Sequence, residues 1–204
     1  MPGRNIVKQY AADQYYHVYS RGVAKQIIFN DDQDYVYFLS ILKRYLSREP
    51  ANSPRHGIYP HYGKRISLLA YCLMPNHMHL LVYQEDERAI VEFMRALMTT
   101  YSLFFNKKYK RVGPVFQSRY RASRITQQDY LEHISRYIHL NPLEWEDYDY
   151  SSLKYYLNDA SAEWLTPTKI LELFPSPLQY LEFLKDYEGH KLMLDEIHWE
   201  LADQ

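Results

Sequence analysis

Two histidines separated by one apolar residue stand in the run Leu73-Met74-Pro75-Asn76-His77-Met78-His79-Leu80-Leu81-Val82. On a β-strand alternate side chains share a face, so the imidazoles of His77 and His79 project together while Met78 and Leu80 turn into a core. Such a pair can hold one metal ion. Zinc, copper, iron or nickel suit imidazole, and magnesium or manganese can be held when oxygen ligands complete the shell. The pair can equally be a stacked or hydrogen-bonded structural feature. A second candidate lies in Tyr130-Leu131-Glu132-His133-Ile134-Ser135-Arg136-Tyr137-Ile138-His139-Leu140-Asn141-Pro142. Leu131, Ile134 and Ile138 recur at helical spacing, and Pro142 must end the helix, so Tyr137 and Asn141 share one helical face. A phenol is a poor nucleophile at neutral pH, but a divalent metal can polarise a scissile phosphate beside it. The Asn141 amide oxygen can then be a third ligand. Otherwise Tyr137 is one of 22 tyrosines and Asn141 caps a helix.

The formal net charge of −1 conceals a division. Up to Pro142 there are 20 Lys and Arg against 11 Asp and Glu, a balance of +9, and from Leu143 onward 4 against 14, a balance of −10. Lys107, Lys108, Lys110, Arg111, Arg119, Arg121 and Arg124 fall in a stretch without an acid, interleaved with Tyr109, Phe116 and Tyr120. Cations that neutralise phosphates and aromatic faces that stack on unpaired bases are the composition of a nucleic-acid surface; a solvated basic loop has the same composition.

These residues need a scaffold. Tyr15 to Ser20 alternates as a strand. Asp31 and Asp32 can cap a helix whose apolar stripe is Tyr35, Phe38, Leu39, Leu42 and Leu46. Ser47 to Arg65 reads as a loop broken by Pro50, Pro54, Gly57, Pro60 and Gly63. Strands at Ile66 to Leu73 and His77 to Tyr83 form a hairpin around Pro75-Asn76. A helix follows with Ile90, Met94, Leu97, Tyr101 and Phe104 buried, and then a strand near Tyr120 to Ile125 precedes the Tyr137 helix. The order is α+β, compatible with an antiparallel sheet backed by helices on one face. After Pro142 an acidic, mainly helical extension begins, ending in an amphipathic segment from Leu178 to Leu201. The expected division is therefore residues 1–142 and 143–204. The extension can pack beside the domain, or cover a basic groove as a mimic of phosphate.

Length and a hydrophobic content of 47% allow a sizeable core. A single cysteine, Cys72, permits no internal disulfide and no cysteine-rich zinc site, and its apolar neighbours predict burial. No apolar run is long enough for a bilayer, and Met1 to Lys8 lacks the apolar stretch of a secretory signal, so no membrane partner and a cytoplasmic location are expected.

Taken together and in order, Tyr16-His17-Val18-Tyr19-Ser20-Arg21-Gly22, Ile28-Phe29-Asn30-Asp31-Asp32, Met74-Pro75-Asn76-His77-Met78-His79-Leu80-Leu81, Phe116-Gln117-Ser118-Arg119-Tyr120 and Arg136-Tyr137-Ile138-His139-Leu140-Asn141-Pro142 resemble the REP-associated tyrosine transposases. A weaker echo continues in Tyr150-Ser151-Ser152-Leu153-Lys154-Tyr155-Tyr156-Leu157. That family belongs to the HUH single-tyrosine transposases. The resemblance implies a ferredoxin-like HUH nuclease fold, His77, His79 and Asn141 as ligands of Mg²⁺ or Mn²⁺, and Tyr137 as nucleophile. It implies cleavage and joining of single-stranded, hairpin-forming repetitive DNA through a 5′-phosphotyrosine. Arg21 and the seven basic residues above form the expected DNA contacts. Two other classes fit the same residues: a hairpin-binding module without chemistry, and a metal-dependent phosphodiesterase using water. Neither the particular hairpin nor the choice between monomer and homodimer follows from the sequence. The acidic region after Pro142 departs from the family, where basic and small residues often follow.

Overall fold

The structure, a computed structural model, describes residues 10–53, 57–157 and 160–186. Met1 to Lys8, Pro54 and the part of the Leu178 to Leu201 segment beyond 186 lie outside the described residues.

Alternation builds the sheet. Strands β1 (Gln14–Arg21), β4 (Ile66–Met74), β5 (His77–Gln84) and β6 (Arg121–Ile125) form an antiparallel sheet in the order β4-β5-β1-β6. A small separate ladder joins β2 (Asn52–Ser53) and β3 (Gly57–Ile58) within the expected loop. Between β1 and β5 the register sets Tyr19 opposite His79 and Arg21 opposite His77. Directly paired residues share a face, so Tyr15, His17, Tyr19 and Arg21 stand with His77, His79, Leu81 and Tyr83, while Val18, Met78, Leu80 and Val82 occupy the other side.

That second side is covered by two amphipathic helices. Helix α1 (Asp32–Leu46) starts at Asp31, whose carboxylate accepts the Asp34 N–H at 3.2 Å, and it buries Tyr35, Phe38, Ile41, Leu42, Tyr45 and Leu46. Helix α2 (Ala89–Lys108) buries Ile90, Phe93, Met94, Leu97, Tyr101 and Phe105. Phe104, expected on that stripe, is half-buried and stacks on Tyr37 instead, because Phe105 continues the i, i+4 row from Tyr101. Backing on one face describes α1 and α2 only. Helix α3 (Gln128–His139) packs Leu131, Ile134 and Ile138 on the opposite face with Ala70, Cys72, Leu81 and Ile125.

The described residues after Pro142 belong to the same cores. Among them are three short helices, α4 (Lys154–Leu157), α5 (Thr168–Leu171) and α6 (Pro177–Lys185). Residues 150–152 and 166 bond to the outer edge of β4: Leu73 N–H donates to Tyr150 O, Ser152 N–H to Tyr71 O and Thr166 N–H to Leu68 O, at 2.7–3.0 Å. An edge strand otherwise exposed to pairing is thereby covered. Trp164 and Leu165 enter the α1/α2 core, and Leu153, Tyr156, Ile170, Tyr180 and Leu184 enter the α3 core. Cys72 is fully buried among the latter, as its apolar neighbours predict. Among the described residues no helix is long and apolar enough to cross a membrane.

Candidate active site

The hairpin β4–β5 turns through Pro75 and Asn76, and the chain after β1 is folded against that turn. Gly22 N–H donates to Asn76 O at 2.9 Å, and Ile28 and Phe29 N–H groups both donate to Pro75 O at 2.8 and 3.0 Å. A Cβ on Gly22 would collide with the Gln26 carbonyl oxygen, so only glycine allows this close approach. The Arg21-Gly22 and Ile28-Phe29 motifs thus set the position of the turn from which His77 departs.

His77 and His79 project on the α3 face with ring centroids 5.0 Å apart and planes at 89°, which excludes stacking between them. Both Nε2 atoms point at the side chain of Asn141, just beyond the end of α3: His77 Nε2 lies 3.0 Å from Asn141 Oδ1, and His79 Nε2 lies 3.5 Å from Asn141 Nδ2. Tyr137, one helical turn earlier, sets its ring edge-on to His79 at 5.3 Å and to His17 at 5.8 Å. Burial pushes the Tyr137 phenol above its ordinary value, nearby Tyr19 adds to the rise, and a hydrogen bond with Asn141 opposes it. The phenol is therefore protonated at neutral pH.

Hydrogen bonds on the far nitrogens decide which way the imidazoles face. His77 Nδ1 lies 2.6 Å from Asn76 Oδ1, an acceptor; Asn76 is oriented by its own Nδ2, which donates to Lys25 O at 3.4 Å. His79 Nδ1 lies 2.9 Å from Nε2 of His17, which is buried and held neutral by desolvation, its pKa lowered to about 3. With a proton on each Nδ1, both Nε2 lone pairs face the Asn141 amide, its oxygen against His77 and its Nδ2 against His79. The two Nε2 atoms and the Asn141 amide oxygen, all neutral, are a donor set of the kind that a divalent cation takes once the amide turns its oxygen toward both rings. Among the described residues no group of three or more His, Cys, Asp or Glu is placed for a metal, so an amide oxygen must complete any protein donor set here.

The basic residues divide. Arg21 and Arg121 flank Tyr19 on the site face, and Tyr19 feels the charge of both. Lys107, Lys110, Arg119 and Arg124 are exposed, Arg124 on the other face of β6. Lys108 is committed elsewhere, 2.6 Å from Asp31 and 2.7 Å from the fully buried Asp34. Arg111 donates to Gln26 Oε1 at 2.9 Å and lies over the Phe105 ring. The interleaved aromatics do not form a stacking platform: Phe116 and Tyr120 are buried, and the Tyr109 hydroxyl donates to Asp34 at 2.8 Å. Their apolar area favours the core over water, which composition could not show. His17, Tyr19 and Asn76 were not singled out by type or spacing, yet the parity Tyr15, His17, Tyr19, Arg21 places His17 and Tyr19 on one face of β1, the face that pairs with the histidines.

The family model described as "Transposase IS200 like" matches residues 60–141, the span that includes His77, His79, Tyr137 and Asn141. Among solved structures the chain is similar to a REP-associated tyrosine transposase bound to a REP hairpin, with a TM-score of 0.52 and 14% identity, covering 74% of this chain and 82% of that one. That likeness concerns the fold. A crystal structure of a protein from Deinococcus radiodurans matches at a TM-score of 0.39 and 18% identity, over 68% of this chain and 95% of that one. No curated protein matches.

Proposed function

For a chain whose residues 60–141 match the family model of IS200-like transposases, we propose cleavage and rejoining of single-stranded, hairpin-forming DNA with Tyr137 as nucleophile. The observation that carries this reading is the convergence of His77 Nε2, His79 Nε2, the Asn141 amide and the Tyr137 ring at one end of the α3 face. His77, His79 and Asn141 would hold Mg²⁺ or Mn²⁺. Such an ion, when bound, supplies Lewis-acid polarisation of the scissile phosphate. Because the protein donors are neutral and few, waters or phosphate oxygens must fill the remaining positions, so the site binds an ion on its own and bound DNA strengthens the binding.

Tyr137 attacks the phosphorus through its phenol oxygen. The bond from phosphorus to the 3′-oxygen breaks, and the proton lost by the phenol ends on that 3′-oxygen. The products are a 5′-phosphotyrosine and a free 3′-hydroxyl. One phosphodiester replaces another, so a second 3′-hydroxyl can reverse the attack and join strands. The raised phenol pKa keeps Tyr137 neutral until substrate is in place. Arg21 and Arg121, beside Tyr19, would contact the phosphates of the strand entering the site, and Lys107, Lys110, Arg119 and Arg124 the more distant backbone. The REP hairpin in the similar structure is a reason to choose a hairpin as the test substrate.

The test is a cleavage assay with end-labelled single-stranded hairpin DNA, its duplex form, and Mg²⁺, Mn²⁺ or chelator. The account expects metal-dependent cutting of the single strand with a slow-migrating protein–DNA adduct. Binding without cleavage would support a hairpin-binding module, and cleavage without an adduct would support hydrolysis by water.

A further inference from the structure

We infer that His17 is a positioning residue for the metal site, holding His79 in the one tautomer that can serve as a ligand. The inference rests on the metal-site reading above and adds to it a residue that touches neither metal nor substrate.

His17 lies in the middle strand β1, with Leu81 opposite on β5 and Ser123 opposite on β6, and is only 2% exposed. Such a place ordinarily takes Val or Ile. Its Nε2 is 2.9 Å from His79 Nδ1. The two rings are tilted by only 19° with centroids 5.1 Å apart, the spacing of two imidazoles joined edge to edge by an N–H···N bond. One of the two nitrogens must therefore be the donor. If it is His79 Nδ1, the His79 Nε2 lone pair faces Asn141, whose Nδ2 lies 3.5 Å away and donates toward it. The opposite assignment would put a proton on His79 Nε2, against an N–H of Asn141 and against any cation. The arrangement of Asn141 thus agrees with His17 as acceptor. A neutral imidazole left to itself populates both tautomers, and a ligand histidine is oriented by the partner of its other nitrogen. For His77 that partner is Asn76 on the turn; for His79 it is His17. The edge of the His17 ring also meets the Tyr137 ring, so the same side chain supports the ligand and the proposed nucleophile.

Two variants separate positioning from packing. His17→Leu fills the space without an acceptor, whereas His17→Gln offers an amide oxygen near the place of Nε2. Manganese titration by calorimetry, on the full chain without DNA, should show His17→Leu binding about 10–100-fold more weakly and His17→Gln recovering most of the loss. In the metal-free parent, nitrogen-15 NMR should find the His79 proton on Nδ1. Manganese affinity within twofold of the parent in His17→Leu, equal weakening in both variants, or a His79 proton on Nε2 would overturn the inference. A parent that binds no manganese would instead defeat the metal-site reading, and the NMR measurement, which needs neither metal nor variant, would still decide the role of His17.

Discussion

Helix α3 presents two polar sides, and they differ in where their hydrogen bonds lead. On one side Ser135 and His139 enter a closed network: His139 Nδ1 lies 2.7 Å from the Tyr180 hydroxyl, Tyr180 donates to Ser135 at 3.1 Å, and His139 Nε2 lies 2.7 Å from the Ser152 hydroxyl. Beside it, Arg136 is buried over the Phe183 ring at 3.4 Å and, among the described residues, finds no hydrogen-bond partner. On the other side Tyr137 and Asn141 meet His77 and His79, whose Nε2 atoms both face the one amide of Asn141. A buried histidine bonded on both nitrogens to hydroxyl groups has a structural role; two histidines that share one amide at their second nitrogens are the pair proposed here as ligands. The two sides share one helix, so the α6 contacts that fix His139 and Arg136 also fix the rotation of Tyr137.

The largest expected effect falls on the open side. Tyr137→Phe removes one hydroxyl and should abolish cleavage and adduct formation, while hairpin binding, set by phosphates and stacked bases, stays within a few fold in a mobility-shift assay. The histidines provide the paired contrast. His79→Ala should lower metal-dependent cleavage by roughly 100-fold or more, the several kcal/mol a metal contributes to charge stabilisation. His139→Ala should instead act first on the thermal midpoint, because it breaks the closed network and leaves a void. Reversal of that pattern would remove the distinction between the two sides.

Truncation after Leu157 tests the extension as a whole. It removes Trp164, Leu165, Ile170, Tyr180 and Leu184, all buried, at about 1.5–3 kcal/mol each, a sum comparable with the entire stability of a domain. The expected result is a much lower thermal midpoint with unchanged or weaker DNA binding. Tighter binding at low salt with an unchanged midpoint would favour the acidic segment as a phosphate mimic over the packing described here.

Acid sharpens the comparison by a smaller amount. Burial lowers the pKa of both His17 and His139 to about 3, well below the unfolded value near 6.5. The unfolded chain therefore binds more protons between those limits. The stability contributed by the two neutral rings is fully present above pH 6.5 and is lost as pH falls toward 3, about 1–2 kcal/mol per histidine by pH 5. Urea unfolding at pH 7 and pH 5 measures it, and equal midpoints would mean that the rings are not buried neutral. Smaller again is the effect of Lys108→Ala. Asp34 would lose its cation but keep the Asn30 N–H and the Tyr109 hydroxyl at 2.8 Å each, so a loss of about 1–2 kcal/mol is expected. DNA affinity should stay within twofold, and a large drop would return Lys108 to the DNA-binding surface.

Much of this architecture was legible in the sequence because it depends on short-range rules. The period-two pattern around His77 and His79, the Pro75-Asn76 turn, the Asp31 cap and the stop before Pro142 each act within a few residues, and the α+β class and the likeness to transposases followed from their order. Long-range pairing was not legible. That His17 would stand behind His79, that Lys108 would reach Asp34 across two helices, and that Ser151 would bridge to Cys72 depend on registers and packing that no local pattern encodes. The aromatics between the basic residues were ambiguous for the same reason, since stacking on bases and packing in a core ask for the same side chains.

The central claim is that the Tyr137 phenol becomes the attacking group. Mass mapping of the covalent adduct tests it most directly: the protein is incubated with single-stranded hairpin DNA and Mn²⁺, digested with nuclease and protease, and the peptide carrying the nucleotide is sequenced. The account predicts a nucleotide-modified residue at Tyr137, with its phosphate at the 5′ side of the cut and a free 3′-hydroxyl on the other fragment. Modification at Tyr130 or another tyrosine, or a cleaved 5′-phosphate with no modified peptide, would contradict it.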